Sequence, residues 1–89
     1  MYFVYMLKNS NNDLYVGISE NPSERVIYHN QNMGSVFTKN KKDFTITFLE
    51  EYSSLKEARK REIQIKKWRR DKKEMLIDKY KKGLPTKPS

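Results

Sequence analysis

Residues 2–18, Tyr2-Phe3-Val4-Tyr5-Met6-Leu7-Lys8-Asn9-Ser10-Asn11-Asn12-Asp13-Leu14-Tyr15-Val16-Gly17-Ile18, decide the fold. Two apolar runs rich in β-branched and aromatic residues flank the turn formers Asn9 to Asp13. That pattern predicts two antiparallel strands joined by a short loop. Setting Lys8 opposite Leu14 puts Leu7 opposite Tyr15 and Tyr5 opposite Gly17. Tyr5 and Tyr15 then share one face as diagonal neighbours, roughly 7–8 Å apart across the strands. A slip of one residue would send them to opposite faces. Gly17, having no side chain, is expected to leave open space across from the Tyr5 ring. The plainer alternative is that both tyrosines simply pack in the core, as most strand aromatics do.

Eighty-nine residues support one small domain with a modest core, expected over 1–82 with 83–89 as a flexible tail. No run is long enough to span a membrane, and no charged-then-apolar leader is visible. With no cysteine there are neither disulfides nor thiolate metal sites, and a cytoplasmic protein is expected. The net charge of +8 is unevenly spread. Residues 1–51 hold five Lys/Arg against six Asp/Glu, whereas residues 52–89 hold fourteen against five. A near-neutral first half and a very basic second half suggest a surface that faces a polyanion. The basic helices lack the broad apolar face of a membrane-surface helix, so nucleic acid is the expected partner and a membrane is not. A solvated lysine-rich surface is the alternative.

Beyond the hairpin, Asn21-Pro22-Ser23-Glu24 is a capping box with proline at the first helical position, and it opens a helix running to about Gln31 or Asn32. Val26 and Met33 lie on one stripe of it. Arg25 and His29, four residues apart on its flank, can present a cation and an imidazole to a common point at the sheet edge. Taken singly, each also reads as an ordinary surface residue. Met33 to Asp43 is polar and contains Gly34, so it reads as an exposed loop whose Lys39, Lys41 and Lys42 can touch phosphates. Phe44-Thr45-Ile46-Thr47-Phe48 alternates, which predicts a third strand with Phe44, Ile46 and Phe48 facing the core. Glu50, Glu51 and Tyr52 are expected to lead out of it.

Ser54-Leu55-Lys56-Glu57 repeats the capping box and opens a helix to about Trp68. At 100° per residue, Leu55, Ala58, Glu62 and Ile65 fall on one inward stripe. Glu62 is the informative residue. A carboxylate in an apolar stripe must be ion-paired, protonated or bound to a cation. One reading is a buried ion pair, to Arg25 or another base. The other is a hard-cation ligand, since one carboxylate with water and phosphate oxygens suits Mg²⁺ or Mn²⁺. Asp71-Lys72-Lys73-Glu74 is expected to cap a last short helix that packs through Leu76, Ile77 and Tyr80 and stops at Gly83 and Pro85. The order is ββαβαα, an α+β chain. Arg61, Lys66, Lys67, Arg69 and Arg70 read as solvated faces first and phosphate contacts second.

Taken together, these pieces resemble the GIY-YIG nuclease superfamily, specifically its small stand-alone bacterial branch, over roughly residues 2–78. The matching fragments are Val4-Tyr5-Met6, Tyr15-Val16-Gly17, Arg25 with His29-Asn30, Ala58…Arg61-Glu62…Ile65-Lys66-Lys67, and Lys73…Leu76-Ile77. The resemblance implies a three-stranded antiparallel sheet flanked by helices. It also implies hydrolysis of DNA phosphodiester bonds with one divalent cation, Mg²⁺ or Mn²⁺. On that likeness Glu62 is the metal ligand, Tyr5 and Tyr15 are the motif tyrosines, Arg25 is the catalytic arginine, and His29 holds the place of an assisting His or Tyr. Three departures stand out: the first motif lacks its glycine, no asparagine follows Asn40, and Ile18 rather than lysine follows Gly17. The expected activity is an endonuclease directed by DNA structure (branched or single-stranded DNA among its substrates) or only weakly specific, with a role in repair or recombination. Two alternatives are a non-catalytic nucleic-acid-binding module of the same fold, and an interaction domain in which Glu62 is only an ion-pair partner.

Overall fold

The computed structural model describes residues 1–31 and 43–88. Its order is β1 (Tyr2–Lys8), β2 (Leu14–Ser19), α1 (Pro22–Asn30), β3 (Thr45–Tyr52), α2 (Leu55–Lys66) and α3 (Arg70–Lys81). The three strands form one antiparallel sheet in the order β2-β1-β3. The expected register holds, with Lys8 on Leu14, Leu7 on Tyr15 and Tyr5 on Gly17. Asn9 and Asp13 fix it. Asn9 Oδ1 accepts the Asp13 N–H at 2.8 Å, its Nδ2 donates to Asp13 Oδ2 at 2.9 Å, and Asn12 takes a left-handed φ of 66° between them.

β1 is the central strand and is covered on both sides, so Val4, Tyr5, Met6 and Leu7 are all buried in succession. On one face Val4, Met6, Val16 and Phe48 pack under α2 and α3 through Ala58, Ile65, Leu76 and Ile77. On the other, Tyr5, Leu7 and Phe44 form a smaller core with Tyr15, Ile46, Leu49 and Val26 of α1. Phe44, Ile46 and Phe48 do not share a face as their alternation predicts. Met6 pairs with Phe48 but Leu7 pairs with Ile46, so Thr47 is an extra residue, a β-bulge that switches the side of everything beyond it. The Thr47 hydroxyl donates to the Met6 carbonyl at 3.2 Å. The strand also runs on through Glu50, Glu51 and Tyr52 instead of ending before them.

Two helix starts follow the expected chemistry. The side chain of Asn21 accepts the N–H of Glu24, and that of Ser54 accepts the N–H of Glu57. α1 ends at Asn30, whose amide clamps both backbone groups of Phe44 at 2.7 and 3.0 Å and so ties the helix end to the start of β3. The third start differs. α3 begins at Arg70 after Arg69, with no side-chain cap, so Asp71 lies inside the first turn instead of capping it, and the Glu74 carboxylate is engaged with Lys8 and Arg70.

α2 stops at Lys66 rather than Trp68, and its buried face is Ala58, Arg61, Glu62 and Ile65. Leu55, in the first turn, is 45% exposed, and Arg61 replaces it as an inward residue. Beyond Gly83, whose φ of 71° turns the chain, two of the last residues contact the domain. The Thr86 carbonyl accepts a hydrogen bond from Arg61 at 2.9 Å, and the Lys87 ammonium lies over the Tyr52 ring.

Candidate active site

Tyr5 projects from the central strand between Leu49 on β3 and Gly17 on β2, the edge strand. The space over Gly17 is not open as expected, because the Tyr5 phenol fills it. A Cβ at Gly17 would lie 2.5 Å from the Tyr5 hydroxyl and 2.9 Å from a Tyr15 ring carbon. Glycine here is a packing requirement, since any side chain would displace the phenol. The Tyr5 and Tyr15 rings are tilted neighbours, 6.2 Å between centroids.

His29 completes this group from α1. It is fully buried, not a surface histidine, with its ring 4.6 Å from that of Tyr15 and its Nε2 at 3.4 Å from the Tyr5 hydroxyl. Burial pushes its pKa below the usual imidazole value, and the Arg25 charge pushes the same way, so the ring is neutral at neutral pH. One turn earlier Arg25 is exposed, its guanidinium 5.0 Å from the centre of the Tyr28 ring and near enough to Tyr5 to stabilise a phenolate. That help is outweighed. Burial, the neighbouring Tyr15 and the Glu62 carboxylate push the Tyr5 phenol up to about 12. A tyrosine base lowered by cations is therefore not what Tyr5 offers. It stays protonated at neutral pH.

Glu62 lies on α2, in the helical layer that packs on the other face of the sheet. It is buried, its charge is felt at Tyr5, and Lys66 one turn on places its ammonium 3.2 Å from Oε2. Among the described residues no three His, Cys, Asp or Glu side chains group to hold a metal. The carboxylate that the sequence offers here is Glu62. That fits Mg²⁺ or Mn²⁺, which keep most of their ligands as water or phosphate oxygen, and does not fit zinc.

The residues expected at phosphates divide. Arg61 is buried and committed: Nε donates to Glu50 Oε1 at 2.9 Å, Nη2 to Glu50 Oε2 at 3.2 Å, and Nη1 to Gln64 at 2.7 Å. The Tyr52 hydroxyl closes the network on Glu50. Burial and the Glu50 carboxylate push that phenol up. Arg70 is tied to Glu74 and to the Asn12 carbonyl in the hairpin turn. Lys66 and Lys67 remain exposed, and Arg69 is 88% exposed, its side chain paired with Asp71 at 3.5 Å. Lys39, Lys41 and Lys42, together with Met33, lie outside the described residues. Sequence reasoning missed Asn30 as the fastener of the helix that carries His29; its position directly after that histidine in the motif was the available signal.

A three-stranded antiparallel sheet with the element order ββαβαα thus brings two tyrosines, a histidine and an arginine close to one another. The chain belongs to the GIY-YIG family: the model described as the GIY-YIG catalytic domain matches residues 1–75. It is 38% identical over 76 residues to a UPF0213 protein of Staphylococcus aureus, covering 85% of this chain and 93% of that one. A UPF0213 protein of Staphylococcus haemolyticus is 34% identical over 77 residues, covering 86% and 94%. Among solved structures, the solution NMR structure of a UPF0213 protein from Bacillus halodurans matches with a TM-score of 0.56 and 26% identity, over 88% of this chain and 84% of that one. GIY-YIG is a nuclease superfamily whose members generally use divalent metals, and the domain implies a nucleic-acid substrate. Among the described residues no helix is long and apolar enough to cross a membrane.

Proposed function

We propose that this protein is a divalent-metal-dependent endonuclease that hydrolyses DNA phosphodiester bonds, directed by DNA structure or only weakly specific, and serving repair or recombination in the cytoplasm. The observation that carries the reading is the cluster at Gly17, where Tyr5, Tyr15 and His29 pack together under the charge of Arg25 and within reach of the Glu62 charge.

The residues divide the chemistry between them. Glu62 would hold the cation, and a cation there would supply charge neutralisation for the phosphoryl group and the leaving oxygen. Arg25 is permanently charged and solvent-exposed, so its planar donor fork can swing to meet the negative charge that develops on the phosphorane oxygens. With its proton on Nδ1, His29 accepts the Tyr5 O–H through Nε2. Tyr5 can then take a proton from an attacking water while passing its own to His29, and so act without ever becoming a phenolate. Tyr15 is the other candidate base and packs directly on the imidazole that would receive the proton. Lys66, Lys67 and Arg69, with Lys39, Lys41 and Lys42, supply the phosphate contacts that hold DNA without reading its sequence.

The test is cleavage of labelled single-stranded, duplex and branched DNA with Mg²⁺ or Mn²⁺, comparing wild type with Tyr15→Phe and Glu62→Ala purified identically. Cutting by wild type that both substitutions remove is the expected result. Binding without cutting under every cation would overturn it in favour of a non-catalytic nucleic-acid-binding module, with the missing motif glycine and late asparagine as the first suspects.

A further inference from the structure

We propose that Lys66 is a resident counter-ion for Glu62, displaced by the arriving divalent cation and then handed to a DNA phosphate, so that metal binding and DNA binding are coupled through this one side chain. The inference rests on the reading of Glu62 as the metal ligand.

The Glu62 side chain is only 8% exposed, and a carboxylate so removed from water needs a cation beside it. Its neighbour on the helix cannot serve. Arg61 is spent on Glu50, Gln64 and the Thr86 carbonyl. Among the described residues the ion pair at Glu62 is with Lys66, one turn later, with Nζ 3.2 Å from Oε2. A glutamate four residues before a lysine is the favoured order for such a pair on a helix.

The pair is lopsided. Glu62 is held in the protein, whereas Lys66 is 51% exposed on a four-carbon stem that can swing into solvent. A Mg²⁺ ion held at about 2.0–2.1 Å by the same carboxylate oxygen would compete with the ammonium for it. Two cations cannot share that oxygen at contact distance without strong repulsion. The mobile partner is the one that leaves. Its ammonium is then unpaired at the rim of the site, beside Lys67, where the metal has come to receive a phosphodiester.

Two consequences follow from linkage. Without DNA, Lys66 competes with the metal and weakens its binding. With DNA, the lysine has a phosphate to go to, and the competition is relieved; DNA must then tighten metal binding by the same factor as metal tightens DNA binding.

The experiment is Mn²⁺ binding, followed by electron paramagnetic resonance or calorimetry. Wild type, Lys66→Met, Lys66→Arg and Glu62→Gln are compared with and without a cleavage-resistant phosphorothioate duplex. Lys66→Met should bind Mn²⁺ about tenfold more tightly than wild type in the absence of DNA, within the usual range of coupling between sites. It should also lose most of the tightening that DNA produces, while Lys66→Arg, which keeps the charge, stays close to wild type. Mn²⁺ affinity in Lys66→Met that is unchanged or weaker, alongside loss of binding in Glu62→Gln, overturns the displacement and leaves the nuclease reading standing. Mn²⁺ binding that Glu62→Gln does not alter overturns both.

Discussion

The Tyr5 hydroxyl lies 3.4 Å from Nε2 of His29, which joins the central strand to the helix that covers it across 24 residues of sequence. Both groups are buried, one is held protonated by its surroundings and the other is held neutral. A neutral phenol facing a neutral imidazole can relay a proton without passing through a phenolate, the charge ending on the imidazolium.

Activity should therefore fail on the acid side. His29 has a folded-state pKa below 6.5, so protonation removes the acceptor only below that value, and the rate should fall as pH drops through it. Stability follows the same sign. The unfolded chain takes up the proton first, so unfolding becomes easier as pH falls from about 6.5 towards the lower folded value. Cleavage rates and urea midpoints measured between about pH 5 and 8 check both, against a His29→Gln variant whose stability should lose that part of its pH dependence.

Gly17→Ala tests the packing of the phenol. Its Cβ would meet the Tyr5 hydroxyl at 2.5 Å and Cζ at 2.6 Å, so the ring must leave its present position. We expect a loss of about 1–3 kcal/mol in stability. The cleavage rate should fall by roughly a hundredfold, as small misplacements of reacting groups do. Parallel denaturation and cleavage assays would refute the account if alanine were tolerated in both.

The Glu50–Arg61 pair should show the asymmetry of buried charges. Arg61→Met alone leaves Glu50 buried without its cation and should cost about 3–5 kcal/mol. Replacing Glu50 by Leu in the same chain should restore most of that loss, because the two desolvation penalties disappear together. Thermal or chemical denaturation of the two single variants and the double variant decides it.

Nucleic-acid affinity should fall steeply with salt through release of condensed counter-ions. Substituting exposed Lys67 and Arg69 with alanine should reduce the slope of log K against log salt by about one unit for each phosphate that the protein no longer neutralises. Arg61→Lys, at a buried position, should leave that slope unchanged. Binding titrations at several salt concentrations check it, and a flat wild-type response would remove the phosphate-binding reading.

Local chemistry made much of the fold legible. The Asn9–Asp13 turn sets the loop length and therefore the register, and the side chains of Asn21 and Ser54 announce their helices because each satisfies a backbone N–H that would otherwise be bare. What stayed hidden depends on partners distant in sequence. Arg61 looks like one more base on a basic helix until β3 brings Glu50 beneath it from eleven residues earlier. His29 looks like a surface residue until Tyr5 and Tyr15 close over it. The pairing of Tyr5 with Gly17 was readable, but its sense was inverted: the missing side chain makes room for the phenol and leaves none over. Asp71 misled because the helix starts one residue before it, which puts its carboxylate in the first turn and not at the cap.

The bulge at Thr47 makes β3 a strand that counts. Phe44 and Ile46 belong to the layer of α1, whereas Phe48 and Glu50 belong to the layer of α2 and α3, and a single unpaired residue separates the two allegiances. Exchange of one residue for another along it disturbs one neighbour at a time. Loss or gain of a single codon there would transfer half the strand to the wrong side, carrying either Phe44 and Ile46 or Phe48 and Glu50 out of their cores. Length variation among related chains should therefore avoid this strand, even where the identity of its residues drifts.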